Sequence, residues 1–440
     1  MKANTLVLIL LCIIFSCESK QKKNDELPVL SADTTPALKE YNRSLQLLKT
    51  DSKIAITDTI EASSFGVKAD YNGKIGTDNR KALQLAIDFC SANQKVLRLP
   101  KGKILVSSYG ITPSARAHAN ILELKSNTKI VGNNSELVVS KAFHDQSFVL
   151  LSGLNAVHTK DFVNLSNIEI KNITFNFNNK EVFMATKYQL MRGIEMGQCI
   201  NGEVANCTFL NGDLTSAIIT GQGNRNVSKN IKIHHNKFID LIKSPKNEDH
   251  TSVYLNSTES SIFENTFTNR SVQGKLVACA GELHNSNTSF YNNTISGYLR
   301  MNFVAAAATE NHHISQLSIY NNRASITSAA VYLWTDDNTS ISNLSIKNNT
   351  ITSTHVDGYS MAFNGSQGIL ADATVGKNTL VENIVVENNK SVIAKTIISG
   401  RAVNFLIDKN RKFKNFKEQN NTCTGCKDGK YYESGFKLPF

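Results

Sequence analysis

The sequence predicts an all-β solenoid, a parallel β-helix whose first coil is closed by a short N-terminal capping helix. Three observations predict it. A motif of alternating apolar residues running into Asn returns at a nearly constant interval, each interval holds two or three short β-rich runs, and helical periodicity is almost confined to one segment.

The clearest copies of the motif are Ile231–Phe238, Ile262–Phe267, Phe290–Ile295, Leu317–Asn322 and Leu344–Ile351. Their Asn residues, Asn236, Asn265, Asn293, Asn322 and Asn349, are spaced by 29, 28, 29 and 27 residues. Weaker copies surround Ile173, Cys207, Asn389 and Asn410, and the earliest lies over 130–137. No single repeat of this kind buries its apolar face, but coils stacked ~4.8 Å apart make one continuous core. The recurring Asn side chains would then form a hydrogen-bonded ladder, a structural role that assigns them no chemistry.

Ahead of the repeats, Thr77-Asp78-Asn79-Arg80 opens a helical pattern in which Ala82, Leu83, Ala86, Ile87 and Cys90 share a face, with Thr77 or Asp78 as cap. This amphipathic segment is expected to cover the open end of the coil.

The chain begins with Lys2 and an apolar run from Leu6 to Phe15, too short to span a bilayer but suited to a signal peptide over residues 1–16. Ile14-Phe15-Ser16-Cys17 resembles a bacterial lipobox, which implies lipidation at Cys17, with plain cleavage or an uncleaved anchor as the alternatives. The polar stretch 17–58 reads as a tether, 59–412 as the coil and 413–440 as a C-terminal tail. The expected location is outside the cytoplasm, at a bacterial outer membrane or cell surface, with the membrane engaged through the lipid and the chain a monomer.

Lys and Arg number 48 against 37 Asp and Glu, a net +11, and removal of Lys2 with the leader leaves +10. Such a surplus attracts polyanions. Acidic polysaccharide fits an exported protein; nucleic acid is disfavoured by the export signal and the lack of a nucleic-acid motif. Cys423 and Cys426 form a lone C-x-x-C, for which a local disulfide or two thiols fits better than zinc.

The run Phe65-Gly-Val-Lys-Ala-Asp70, then Gly76-Thr77-Asp78, the helix, and Val96–Val106 with its Pro100-Lys-Gly102 break resembles the opening segment of the pectate-lyase superfamily. With the repeats, the resemblance covers about residues 60–410. It implies a right-handed parallel β-helix with substrate lying along the outside of one sheet. It does not fix the reaction, because relatives include lyases, hydrolases, epimerases and non-catalytic adhesins.

To find that sheet, the apolar runs after each Asn are aligned: Ser216–Thr220, Ser252–Asn256, Lys275–Cys279, Arg300–Val304, Ala330–Trp334 and Ser360–Asn364. Strand alternation then points Val253, Leu255, Leu276, Met301, Phe303, Val331, Leu333, Met361 and Phe363 inward. The substrate-binding candidates facing outward are Tyr254, Asn256, Asn302, Tyr332 and Trp334, with Asn364 beyond them. Lys275 and Arg300 fall in one column. There Arg would neutralise a uronate carboxylate and Lys would take the neighbouring ring proton, a β-elimination.

Asp213 and Asp249 precede two of these strands at equivalent positions, with His250 beside the second. Paired carboxylates suit glycoside hydrolysis or a calcium ion, and no other cofactor is required. Strand-initiating turns also favour Asp. Polygalacturonase motifs N-T-D, G-H-G and R-I-K are absent, as is the R-x-P-x-x-R of pectate lyases. Glu282 and His284 follow the Lys275 run as candidate extra members of that site, with solvated loop residues as the alternative. Two classes of function remain: a polysaccharide-degrading lyase or hydrolase, and a carbohydrate-binding or adhesion protein without turnover.

Overall fold

The computed structural model describes residues 58–110, 119–143, 147–153, 164–178, 191–221, 226–241, 250–270, 278–353, 366–372, 376–393, 399–400, 403–404, 411–425 and 432–433. Cys17, Asp249, Lys275, Leu276, Met361, Phe363 and Asn364 lie outside the described residues. The described residues belong to one compact unit, Ile54–Phe440.

The coil is set by its corners. At the bend between two strands a single residue takes the left-handed conformation, in most coils Asn206, Asn292, Asn321, Asn348, Asn388 or Asn420, with φ between 54° and 57°. Asn tolerates this region because its short side chain bonds locally. The next residue is Cys207 after Asn206 and otherwise the ladder Asn, buried at Asn293, Asn322, Asn349 and Asn389. Asn236 donates to Asn265 at 3.1 Å, Asn265 to Asn293 at 3.1 Å, Asn293 to Asn322 at 3.1 Å and Asn322 to Asn349 at 2.9 Å. The ladder continues through Asn389 to Asn421, each step 2.9 Å.

Between corners the strands pair in parallel with the coils before and after. One coil runs Ala278–Leu283, Thr288–Tyr291 and Thr294–Tyr298; the next runs Arg300–Ala306, His313–Tyr320 and Arg323–Ile326. The result is a right-handed parallel β-helix. Phe175, Phe209, Phe238 and Phe267 stack down its interior with centroids 4.9, 5.1 and 4.6 Å apart.

The helix Arg80–Ala92 buries Leu83, Ala86, Ile87 and Cys90. Leu83 and Ile87 line a small apolar space with Leu97, Leu99, Ile130 and Leu137 of the first coils. Its N-cap is Asn79, not Thr77 or Asp78. The Asn79 side chain is turned away from the helix, accepting from Lys68 N at 2.7 Å and donating to Leu105 O at 3.2 Å, while Thr77 donates to Asp70. At the other end the coil passes residue 412: Arg411–Gln419 and Thr422–Thr424 pair with the coil before them, because Asn421 extends the ladder. Cys423 is disulfide-bonded. Among the described residues no helix is long and apolar enough to cross a membrane.

Candidate active site

One sheet takes a single strand from each coil, in the order Met191–Glu195, Ser216–Thr220, His250–Leu255, Ala278–Leu283, Arg300–Ala306, Ala329–Thr335 and Ser366–Asp372. Its register sets Tyr254 beside Glu282, Glu282 beside Phe303 and Phe303 beside Tyr332. One position on, Leu283 pairs Val304 and Val304 pairs Leu333, all buried. Tyr254, Tyr332 and Trp334 therefore share the outer face, as alternation predicts, but Tyr332 is 2% exposed beneath Arg300 and is not available to a substrate as expected.

Three expectations change with this register. Arg300 pairs with Cys279, not with a lysine, so the cationic column is not formed. Arg300 is also 4% exposed, its guanidinium carbon 4.1 Å from the centroid of the Tyr332 ring. Asn302 pairs with Gly281 and Val331 and is buried, donating to Gly281 O at 3.2 Å, whereas Phe303 faces outward. Met301 and Phe303 had suggested an inward face because both are apolar, but the outer face here is itself aromatic. The register differs from the expected one because the strand before Arg300–Ala306 begins at Ala278 and an irregularity at Gly297 adds a residue ahead of Arg300. Likewise the strand opposite Ala329–Leu333 is Ser366–Asp372, later than Ser360–Asn364.

Other candidates are interior. Asp213 is 2% exposed at the approach to the strand Ser216–Thr220. His250 is buried between Leu214 O at 2.7 Å and Ser252 Oγ at 3.1 Å, and burial depresses it to about 4, so it is neutral and enclosed. Asn256 is a fully buried brace whose Oδ1 accepts from Asn311 Nδ2 at 2.8 Å.

What the fold does assemble is a cluster around His284. Its Nε2 lies 3.0 Å from Glu282 Oε2 and its Nδ1 lies 3.0 Å from Glu310 Oε2. Tyr254 stacks on the imidazole at 4.2 Å and donates its hydroxyl to Glu310 in a short hydrogen bond. Asn311, next to Glu310 in the same turn, donates to His284 O at 2.7 Å and anchors the turn to the sheet. Burial alone would make His284 a weaker base. The charge of Glu310 and the hydrogen bonds to both carboxylates outweigh it and lift His284 to about 10, so it is an imidazolium at neutral pH. Burial likewise opposes ionisation of Glu310, but the His284 charge, with hydrogen bonds from His284 and Tyr254, keeps its carboxyl below its ordinary value. Burial and the adjacent Glu310 charge hold the Tyr254 phenol well above its ordinary value.

Glu282 and Glu310 keep side-chain exposures of 17% and 18%, enough for contact with a ligand. Beside them Phe303 lies 5.7 Å from Tyr332 and 6.1 Å from Trp334, centroid to centroid, and Trp334 Nε1 donates to Asp336 at 3.0 Å. Glu310 was not legible in the sequence, for it sits in an ordinary turn after its strand. Glu282 and His284 were visible only as a carboxylate and an imidazole two residues apart.

The class these features define is a parallel β-helix protein presenting two partly buried carboxylates and an aromatic strip on one sheet. No protein-family model and no curated protein matches the sequence. Among solved structures the chain is similar to the tailspike of E. coli bacteriophage HK620. A mutant of that tailspike superposes with a TM-score of 0.67 at 21% identity over 87% of this chain and 69% of the other. A second mutant, in complex with a pentasaccharide, gives 0.67 at 20% identity over 89% and 70%. The tailspike with pentasaccharide gives 0.64 at 22% identity over 84% and 67%. At this identity the likeness is one of fold.

Proposed function

We propose that this chain binds polysaccharide along the sheet bearing Tyr254, Glu282, Phe303 and Trp334 and hydrolyses its glycosidic bonds with Glu282 and Glu310. The observation that carries the reading is the fixing of two accessible carboxylates on opposite nitrogens of one imidazolium, next to an aromatic strip. Two oxygens held that way lie roughly 7–8 Å apart for in-plane bonds, a separation in the range of inverting rather than retaining glycoside hydrolysis. Glu310, held ionised by His284 and Tyr254, is suited to act as base, and Glu282 to relay the Nε2 proton of the His284 imidazolium to the leaving oxygen. Aromatic rings give sugars a flat apolar surface to lie on. The saccharide-bound tailspikes of the same fold support a carbohydrate ligand.

Elimination is the weaker reading. Arg300 is enclosed under Tyr332, and an imidazolium has no lone pair with which to take a ring proton. The net charge of +11 still favours an acidic polymer. The same proposal includes export and anchoring through Cys17; labelling with a palmitate analogue that marks Cys17→Ser as strongly as wild type rejects that part.

The activity is tested by screening uronate-containing polymers with a reducing-end assay and absorbance near 235 nm. Hydrolysis gives new reducing ends without the absorbance, and Glu282→Gln and Glu310→Gln each reduce the rate by at least ~10². Product absorbing at 235 nm rejects hydrolysis in favour of elimination. Binding that leaves polymer length intact makes the chain an adhesin.

A further inference from the structure

The sheet of the candidate site holds one charged pair that the chemistry proposed for it does not use. Along its strands from Met191–Glu195 to Ser366–Asp372 the Lys or Arg residues are Arg192 and Arg300. Arg300 is 4% exposed and enclosed against Tyr332, whereas the Arg192 side chain keeps an exposure of 15%. Arg192 is therefore the cation of those strands that a ligand can reach.

Its Nη1 donates to Glu195 Oε1 at 2.9 Å. The Glu195 side chain is fully buried, and neither its Oε2 nor the Nε of Arg192 has a partner among the described residues. A buried ion pair seldom stabilises a fold more than apolar side chains of the same volume, and an unpaired buried oxygen costs free energy besides. Stability alone gives no reason to keep this pair. What it does provide is a guanidinium fixed through one nitrogen, with the two N–H donors of Nη2 left for a second acceptor. A carboxylate is the acceptor such an end holds best, through charge-assisted hydrogen bonds.

The register places the pair in line with the carboxylate cluster. Ile219 pairs with Glu195 on one side and with Tyr254 on the other, and Tyr254 pairs with Glu282. At ~4.8 Å per strand, Glu195 stands about 14 Å from Glu282 along the direction in which the strands stack. Burial and the Glu310 charge dominate the Tyr254 phenol, and the Arg192 charge acts on it in the opposite sense, which puts the guanidinium within electrostatic reach of the cluster.

We propose that Arg192, positioned by Glu195, reads the carboxylate of a uronate unit bound about three strands ahead of Glu282. The inference rests on the polysaccharide-binding role proposed for this sheet, and it names the substrate class: a chain with a uronate at that distance from the bond that is cut. So far from Glu282, Arg192 selects the chain and takes no part in breaking it.

Binding is measured by calorimetry in the full chain carrying Glu310→Gln, so that turnover plays no part. The probes are oligogalacturonate and oligoalginate, each beside its carboxyl-reduced form. With Arg192 intact, at least one carboxylated chain should bind more tightly than its reduced form by about tenfold or more, the worth of one hydrogen bond to a charged group. Arg192→Gln leaves the buried Glu195 carboxylate without its partner, so Arg192→Gln/Glu195→Gln, a neutral pair, is measured beside it. In both, affinity for the carboxylated chain should fall by about tenfold while affinity for the reduced chain holds; a structural role would weaken the two alike. Arg192→Lys, which keeps the charge, should retain part of the preference. No preference with Arg192 intact, binding of neither form included, overturns the proposal, and so does a preference that survives in the double variant. If the preference and its loss are found but the wild type releases no reducing ends, the uronate subsite stands and only the hydrolytic reading fails.

Discussion

The guanidinium of Arg300 lies 4.1 Å above the centroid of the Tyr332 ring, and both residues are nearly excluded from solvent. In low dielectric such a contact is worth up to ~2 kcal/mol, and truncating a buried cation strips its partners as well. Arg300→Ala should therefore lower stability by about 2–4 kcal/mol in urea unfolding. An unchanged midpoint would mean that Arg300 is a solvated surface cation after all.

Trp334 is the sole tryptophan of the chain, so its emission reports on the aromatic strip alone. Binding of a cognate oligosaccharide should shift or quench that emission in a saturable way. Trp334→Ala should weaken polymer binding by at least tenfold. A saccharide that is bound or cleaved with no change in emission places the groove elsewhere.

Adjacent Asn residues at one corner should differ in importance. Asn293 accepts from Asn265 N at 2.9 Å and donates to Ile262 O at 3.0 Å and Asn322 Oδ1 at 3.1 Å, whereas Asn292 is exposed. Asn293→Ala leaves several buried polar groups unpaired and should cost about 3 kcal/mol or more. Asn292→Ala loses only its tolerance of the left-handed region, about 1–2 kcal/mol. Equal losses would remove the ladder as a source of stability.

Stability should fall on both sides of neutrality, for opposite reasons. The folded state raises His284 to about 10, so its contribution is complete below the unfolded value near 6.5 and is lost as pH climbs through 10. The folded state depresses His250 to about 4, so that contribution is complete above ~6.5 and is lost as pH falls toward 4. Each limb is worth a few kcal/mol. Urea midpoints measured from pH 4 to 10.5 should show a flatter alkaline limb in His284→Gln and a flatter acid limb in His250→Gln. Variant profiles parallel to wild type would contradict both assignments.

Sequence periodicity alone determined the coil. Asn236 to Asn349 recur at the interval of one turn, and a residue that must be buried and hydrogen-bonded at every corner leaves a trace no matter what surrounds it. Tyr254, Tyr332 and Trp334 were legible for a related reason, since strand alternation is local. The site was not. Whether Phe303 or Asn302 faces out depends on where Ala278–Leu283 begins and on an irregularity at Gly297, and one residue of slip reverses every side chain that follows. His284, Glu282 and Glu310 meet only when a turn folds back over a strand 26 residues from its partner, a contact set by tertiary packing.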